Sequence, residues 1–273
     1  MTIDQHTELY GVVGYPLGHT LSPTMHNRAF AVTNINALYL AFETKDIRGC
    51  IRGMKALSIK GMSVTIPHKS SVIPLLDEMD PLAESIGAVN TVVNRHGRLK
   101  GYNTDAVGAL RALEEKTVLP GKRCLVLGAG GAARAIAFIL KEQGVHLTIT
   151  NRTRSRGQGL AKVVGCPFVP LDQAASIPSD ILVQTTSVGM HPHDNRSPIS
   201  GTYLKKGMVV MDIVYNPIIT RLLSMAEEAG CITVNGLGMF IQQATEQFRL
   251  WTGQDAPISA MTEAVMEALG SGK

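Results

Sequence analysis

Two side chains in the first half of this 273-residue sequence have the chemistry to move a proton. Lys69 follows Pro67-His68 at the end of an apolar run, and Asp105 stands where a helical segment begins. A lysine serves as acid and base when its pKa is lowered or when a nearby carboxylate positions it. On pattern alone, Lys69 is more typical of a surface residue, and Asp105 is more typical of a helix cap.

A second group of polar residues could bind an anionic, hydroxylated molecule. Thr20 and Ser22 are two residues apart around a turn, so both hydroxyls could donate hydrogen bonds to one carboxylate. The alternative is that they are turn and cap residues, with Ser22 as the N-cap of a helix that Pro23 opens. Further polar residues beside apolar runs could point into a cleft. They are Thr65, Asn90 and Gln243.

A glycine-rich turn after an apolar strand predicts a dinucleotide site. Gly128 permits a tight turn from Cys124–Leu127 into a helix, Gly130 lets backbone approach a pyrophosphate, and Ala133 lets the helix pack closely on the strand. The N–H groups at the start of that helix face the anion. The cofactor contacts predicted in this turn are Gly128, Ala129, Gly130, Gly131 and Ala132.

The residues after the next strand indicate which dinucleotide binds. An NAD site usually has Asp or Glu about 20 residues beyond the glycines, but this sequence has Asn151, Arg152, Thr153, Arg154 and Arg156 there. Guanidinium groups can hold a 2′-phosphate bidentately, whereas a carboxylate would repel it. The pattern therefore favours NADP over NAD. The alternative is a solvated basic turn.

Composition excludes several other classes of protein. The net charge of +4 comes from scattered basic residues, without the basic block and interleaved aromatics of a nucleic-acid binder. The four cysteines are isolated, and His191 and His193 have no third ligand at suitable spacing, so no metal site is predicted. The first residues contain no apolar signal region and no apolar run reaches 18 residues, so we expect a cytoplasmic protein.

Alternating strand and helix patterns predict an α/β fold. Strands are expected at 87–93 and 98–102, joined by a turn at 95–97, and a helix at 106–115 with Thr104 or Asp105 as its cap. The architecture we expect has a Rossmann-type dinucleotide-binding domain beside a mainly parallel-sheet substrate domain, with a cleft between them. The expected boundaries are residues 1–105 for the substrate domain, 106–236 for the nucleotide domain and 237–273 for helices that pack back on the substrate domain.

These motifs together give the chain a resemblance to the shikimate dehydrogenase family along nearly its whole length. Their order and spacing both agree with the family. The matching stretches are 14–27 with Thr20-Leu21-Ser22-Pro23, 64–69 with Val64-Thr65-Ile66-Pro67-His68-Lys69, 87–91, 101–105, 128–134, 151–153, 186–190, 212–217 and 236–253.

The resemblance implies NADP-linked interconversion of 3-dehydroshikimate and shikimate, a step of aromatic amino acid biosynthesis on the chorismate pathway. Lys69 and Asp105 match the catalytic pair of the family. The substrate contacts that it implies are Thr20, Ser22, Thr65, Asn90, Asp105, Tyr215 and Gln243. The further cofactor contacts that it implies are Asn151, Arg152, Thr153, Arg156, Thr186, Ser187 and Gly236.

Two departures from the family pattern leave the substrate open. Thr20 stands where the family usually has serine, and Ser63 stands where it usually has asparagine, which reaches further and offers both a donor and an acceptor. Quinate or aminoshikimate, with NAD possible, is therefore an alternative, and a nucleotide-binding regulator without catalysis is a further one. No macromolecular partner is predicted beyond a second copy, so a monomer or a homodimer is expected.

Overall fold

The computed structural model describes residues 3–18 and 20–270. These residues form two compact units. The first contains the described residues of the ranges 1–104 and 243–273, and the second contains residues 105–242. Within the described ranges, no helix is long and apolar enough to cross a membrane. His19, next to the predicted Thr20 site, lies outside the described residues.

Strands and helices alternate along most of the chain. The strands are β1 (Glu8–Gly14), β2 (Ala37–Glu43), β3 (Gly61–Val64), β4 (Glu78–Met79), β5 (Thr91–Arg95), β6 (Arg98–Tyr102), β7 (Arg123–Leu127), β8 (His146–Asn151), β9 (Phe168–Pro170), β10 (Ile181–Gln184), β11 (Val209–Asp212) and β12 (Ile232–Val234). The helices are α1 (Ser22–Val32), α2 (Ile47–Ala56), α3 (Pro81–Ile86), α4 (Thr104–Glu114), α5 (Gly131–Glu142), α6 (Arg154–Val164), α7 (Arg221–Glu228), α8 (Gly236–Thr252) and α9 (Ile258–Gly270).

The first unit is built on a mixed six-stranded sheet in the order β2-β1-β3-β5-β6-β4. β1 is parallel to β2 and β3, and β4 is parallel to β6, whereas β5 is antiparallel to both of its neighbours. In this arrangement β1, β3 and β6 end at the same edge of the sheet at which β5 begins. The segments that carry the predicted substrate residues Thr20, Thr65 and Asn90 therefore adjoin one edge of the sheet.

Apolar side chains fill both faces of this sheet. Met54, Met62 and Leu99 are fully buried in a cluster with α2 on one face. On the other face, α1 packs against α9, and the indole of Trp251 donates to the Val92 carbonyl at 3.1 Å. A Cβ at Gly61 would overlap the Trp251 ring, so glycine is required there for the end of α8 to lie against the sheet.

The second unit contains an all-parallel sheet in the order β12-β11-β10-β7-β8-β9. The chain runs outward from β7 through β8 to β9, then returns to β10 on the opposite side of β7 and continues to β12. This is the strand order of the doubly wound dinucleotide-binding fold, in which ligands bind where the direction reverses. The β strands are apolar because helices cover both faces, as in α5 with its buried Ala133, Ile136 and Leu140.

Several expected boundaries are wrong. Gly87 has φ of +68° and ends α3, a short helix that the sequence pattern did not predict, so β5 begins only at Thr91. α4 begins at Thr104, which places Thr104 and Asp105 inside the first turn. The expected hairpin is confirmed, but Arg95 is still part of β5, so its turn is His96-Gly97. Both turn residues have the positive φ that a tight hairpin requires.

Candidate active site

Three segments with predicted substrate residues meet at one edge of the first sheet. The Tyr15 N–H donates to the Ile66 carbonyl at 2.8 Å, which joins the loop after β1 to the turn after β3. The Val64 N–H donates to the Asn90 carbonyl at 2.7 Å, and the Val89 N–H donates to the Lys69 carbonyl at 2.8 Å. Backbone hydrogen bonds therefore hold the segments of Thr65, Lys69 and Asn90 beside one another.

Asn90 and Gln243 are connected through Thr104. The Asn90 carboxamide oxygen accepts from the Thr104 N–H at 2.7 Å, and its nitrogen donates to the Thr104 hydroxyl at 3.0 Å. That hydroxyl lies 3.4 Å from the Gln243 carboxamide oxygen. All three side chains are buried. Thr104 in the first turn of α4 thus holds the Asn90 carboxamide in one orientation.

A chain of buried hydroxyl and amide groups continues from Asn90 into the core. The Tyr39 hydroxyl donates to the Ser63 hydroxyl at 2.6 Å, which donates to the Gln247 carboxamide oxygen at 3.0 Å. The Gln247 nitrogen donates to the Thr91 hydroxyl at 2.9 Å, and that hydroxyl donates to the Asn90 carboxamide at 2.8 Å. The Ser63 hydroxyl therefore hydrogen-bonds to two buried side chains of the protein, Tyr39 and Gln247.

One signal in the sequence could have revealed part of this polar chain. Gln243 and Gln247 are four residues apart in α8, so they lie on the same face of that helix. No comparable pattern in the sequence indicates that Tyr39 and Thr91 belong to this chain of hydrogen bonds.

The loop with Thr20 and Ser22 is anchored to the same sheet. The Leu17 N–H donates to the Glu43 carboxylate at 2.7 Å, and the Thr20 N–H donates to the Leu17 carbonyl at 3.0 Å. The prediction that Ser22 caps α1 is wrong, since Leu21 occupies the cap position and Ser22 is the first helical residue. Burial raises the pKa of Tyr39, and the hydroxyls of Ser63 and Ser22 oppose that rise. Ser22 thus lies beside the buried polar chain.

The predicted acid/base pair is divided between the two units. Lys69 belongs to the first unit and is partly exposed in the turn after β3. Asp105 is the first residue of the second unit, buried in the first turn of α4 directly after Thr104.

Within the described residues, no three His, Cys, Asp or Glu side chains are grouped as metal ligands.

The glycine turn of the second unit lies at the carboxyl end of β7, the central strand. Gly128 has φ of +123°, and a Cβ there would overlap the Thr185 hydroxyl, so only glycine fits. Gly130 is exposed, its missing Cβ faces open space, and no side chain caps the start of α5. The N–H groups at this helix start are therefore available to a phosphate, which fits a dinucleotide.

The basic segment follows β8 at the same edge of this sheet. The Asn151 carboxamide donates to the Thr153 carbonyl at 2.9 Å, and Thr153 occupies the cap position of α6 without a side-chain hydrogen bond. Arg152 and Arg156 are exposed, while Arg154 lies 3.7 Å from the Asp172 carboxylate. The segment thus presents guanidinium groups at a second uncapped helix start.

Two further cofactor predictions, Thr186 and Ser187, lie in a turn after β10. The buried Gln184 carboxamide holds this turn by accepting from the Thr186 N–H at 3.0 Å and donating to the Thr186 hydroxyl at 2.9 Å. β10 is the neighbour of β7 across the point where the strand order reverses. The turn at 186–187 and the glycine turn therefore border the same crevice.

Tyr215 and Gly236 lie close together in the second unit. The Tyr215 ring stacks on Phe240 of α8, with 4.5 Å between ring centroids and an interplanar angle of 14°. A Cβ at Gly236 would overlap the carbonyl oxygens of Ile213 and Val214, so the start of α8 touches the backbone of the segment that carries Tyr215.

Comparisons with known proteins cover nearly the whole chain. Residues 12–92 match the family described as shikimate dehydrogenase substrate binding domain. Residues 111–239 match shikimate / quinate 5-dehydrogenase, and residues 236–266 match the shikimate 5′-dehydrogenase C-terminal domain.

Individual relatives agree with these matches. A shikimate dehydrogenase (NADP(+)) of Bacillus cereus is 47% identical, with 96% of this chain and 99% of that protein aligned. The structure of shikimate 5-dehydrogenase from Thermus thermophilus with NADP(H) and shikimate is 38% identical, covers 96% of this chain and 100% of its own, and has a TM-score of 0.89. Quinate dehydrogenase from Corynebacterium glutamicum with NAD is 32% identical, covers 96% and 99%, and has a TM-score of 0.90. This chain belongs to the shikimate dehydrogenase family.

Proposed function

We propose that this chain catalyses the NADP-dependent, reversible oxidation of shikimate to 3-dehydroshikimate. The observation that carries the proposal is the meeting of Thr65, Lys69 and Asn90 at one sheet edge, in a chain whose second unit has the strand order and glycine turn of a dinucleotide-binding fold. The Bacillus cereus relative is named for this activity with NADP. The first unit would hold the substrate and the second the nucleotide.

Lys69 and Asp105 are the residues that we assign to proton transfer. Oxidation of an alcohol requires removal of the hydroxyl proton, and bound NADP supplies the nicotinamide carbon that accepts the hydride. Lys69 takes the proton as general base in this direction and returns it as general acid in reduction. Asp105 orients the Lys69 amino group and the substrate hydroxyl.

The remaining polar residues would orient the substrate. Thr20 and Ser22 donate to its carboxylate, and Tyr215 completes that end. Thr65, Asn90 and Gln243 bind the ring hydroxyls. Since Asn90 and Gln243 are held through Thr104 at 3.0 and 3.4 Å, little side-chain freedom is lost when the substrate binds.

NADP would bind at the crevice of the second sheet. The uncapped start of α5 and the open space at Gly130 accommodate the pyrophosphate. Arg152 and Arg156, with Asn151 and Thr153, bind the adenosine 2′-phosphate. Thr186, Ser187 and Gly236 line the same site. We place the enzyme in the cytoplasm, as a monomer or a homodimer.

The second candidate is oxidation of quinate, favoured by one observation. Ser63 stands where the family usually has asparagine, and its hydroxyl donates to Gln247 inside the protein, so that proton is not available to a ring hydroxyl of the substrate. The quinate dehydrogenase of Corynebacterium glutamicum has the same fold and was solved with NAD.

A steady-state screen separates these candidates. Shikimate, quinate and aminoshikimate are each offered with NADP and with NAD, and reduced nicotinamide is followed by absorbance. We expect the highest kcat/KM with shikimate and NADP. A higher kcat/KM for quinate or aminoshikimate would overturn the substrate, and a higher one with NAD would overturn the cofactor. No turnover with any pair, while NADP still binds by calorimetry, would favour a nucleotide-binding regulator.

A further inference from the structure

Asp212 is a carboxylate with no solvent exposure at the end of β11. One of its oxygens accepts from the Val214 N–H at 3.0 Å, and the other accepts from the Thr220 hydroxyl at 2.7 Å. The two partners lie six residues apart, at opposite ends of the segment that leads to α7. The carboxylate therefore closes this segment into a loop.

Burying a carboxylate without a cationic partner is costly. Burial raises the pKa of Asp212 to about 6, and the bonds from Val214 and Thr220 oppose that rise only in part. Among the described ion pairs, none includes Asp212. Because burial of the Asp212 carboxylate costs folding free energy, we look for a role of this residue other than stabilising the fold.

The loop closed by Asp212 carries Tyr215, and further contacts hold it, among them the hydrogen bond from the His191 N–H to the Asn216 carbonyl at 3.1 Å. The carbonyls of Ile213 and Val214 lie against Gly236 at the start of α8, and the Tyr215 ring stacks on Phe240. Thr220 also accepts from the Leu223 N–H at 3.3 Å as the N-cap of α7. Loss of the Asp212–Thr220 bond would remove a side-chain hydrogen bond that joins the two ends of the loop.

We propose that Asp212 and Thr220 are positioning residues that hold the 213–220 loop and thereby aim the Tyr215 side chain at the substrate carboxylate. The proposal rests on the proposed function, because it assigns Tyr215 to substrate binding. Neither residue touches the substrate. They determine how much of the Tyr215 interaction is already oriented before the substrate binds.

The matched pair Thr220→Val and Thr220→Ser tests this role. Valine keeps the shape and removes the hydroxyl, whereas serine keeps the hydroxyl. We expect Thr220→Val to raise KM for shikimate by about fivefold or more with little change in kcat, as for the loss of one oriented hydrogen bond. Thr220→Ser should stay within about twofold of the original KM. Amide exchange in the peptide covering 213–219 should be faster in the valine variant alone.

Two controls distinguish this role from a purely structural one. Thr220→Val also removes the cap of α7, so the exposed substitution Arg221→Gly, which weakens the same helix turn and leaves Asp212 paired, should not change KM. In a Tyr215→Phe background, Thr220→Val should have little further effect on KM, since the interaction it positions is already lost. Equal effects of Thr220→Val in both backgrounds, or unchanged exchange, would overturn the proposal. If the unmodified enzyme does not oxidise shikimate, the proposed function fails, and the exchange comparison alone decides whether Asp212 and Thr220 hold the loop.

Discussion

Lys69 has a different environment from the polar groups around it. Asn90, Thr104 and Gln243 are buried and bonded to one another. Lys69 is partly exposed, and its backbone carbonyl accepts from the Val89 N–H. A rigid backbone with a side chain that reaches solvent suits a residue that exchanges protons with water. The surrounding amides suit the opposite task, which is to hold one orientation.

Replacement of Lys69 by alanine tests the acid/base role. We expect kcat to fall by about 10²-fold or more with a modest change in KM, because a general acid/base acts mainly in the transition state. Lys60→Ala is the matched control, since Lys60 is an exposed lysine of the same unit that lies 3.6 Å from Glu8. Turnover that survives Lys69→Ala at the level of the control would exclude the role.

Ser63 is predicted to contribute to stability through its two hydrogen bonds. Ser63→Ala would leave the Tyr39 hydroxyl and the Gln247 oxygen buried without that partner, which costs about 1–3 kcal/mol of unfolding free energy. Tyr39→Phe removes one of these orphaned groups, so the double variant should be less destabilised than the sum of the two single variants. Urea denaturation of the four proteins gives the comparison. Additive losses would mean that the Tyr39–Ser63 bond is not formed in solution.

At the scale of elements, the two sheets place polar residues by the same principle. Residues that follow parallel strands meet at the carboxyl edge of the sheet. Backbone hydrogen bonds there join Tyr15 to Ile66 in the first unit and Gly128 to Thr150, near the end of β8, in the second. In both units many of the predicted site residues lie in the turns, while the strands bury apolar residues. Glycine occurs where two such turns approach most closely, as at Gly128 beside Thr185.

This division explains how much of the site the sequence could predict. The glycine turn, the basic segment and the hairpin at 95–97 depend on residues that are neighbours in the chain, so local patterns identify them. The bonds from Ser63 to Gln247 and from Gln247 to Thr91 join residues 184 and 156 positions apart. No local pattern records such contacts. Short elements such as α3 were also not predicted, because six residues are too few for a helical period to be seen.

The start of α6 is the element that we expect to discriminate NADP from NAD. Replacing Arg152 and Arg156 together by alanine should raise KM for NADP by about 10-fold or more, as for the loss of charge-assisted hydrogen bonds, and leave KM for NAD nearly unchanged. Arg154→Ala is the matched control, because Arg154 in the same turn lies against Asp172. An equal increase for both cofactors would show that these arginines do not bind the 2′-phosphate.

At the scale of the whole molecule, each unit contains a buried titratable group, and the two respond to pH in opposite directions. His26 in the first unit has no solvent exposure, and neither ring nitrogen has a hydrogen-bond partner of good geometry. Burial lowers its pKa to about 3, and the nearby Gln247 carboxamide opposes this only in part. Burial raises the pKa of Asp212 in the second unit to about 6.

The direction in which pH changes stability depends on whether the folded or the unfolded chain binds the proton of each group more tightly. The unfolded chain protonates His26 near its ordinary pKa of 6.5, so its contribution to stability is complete above pH 6.5 and is lost as the pH falls toward about 3. Folding favours the protonated form of Asp212, so its contribution is complete below the ordinary pKa of 3.8 and is lost as the pH rises through about 6. Acidification from pH 6.5 to pH 4 should therefore destabilise the first unit through His26 and stabilise the second through Asp212.

The single tryptophan, Trp251, makes the first of these effects measurable, because it belongs to the first unit and its ring lies 5.2 Å from that of His26. We expect the unfolding free energy reported by Trp251 fluorescence in urea to fall between pH 6 and pH 4 by up to about 1.4 kcal/mol per pH unit more in the original protein than in His26→Leu. Leucine has a similar volume and no titrating group, so other carboxylates contribute equally to both proteins. Asp212→Asn serves as the control in the second unit and should leave the Trp251 transition with its original pH dependence. A His26→Leu variant with the same pH slope as the original protein would mean that His26 is charged or hydrated in the folded state.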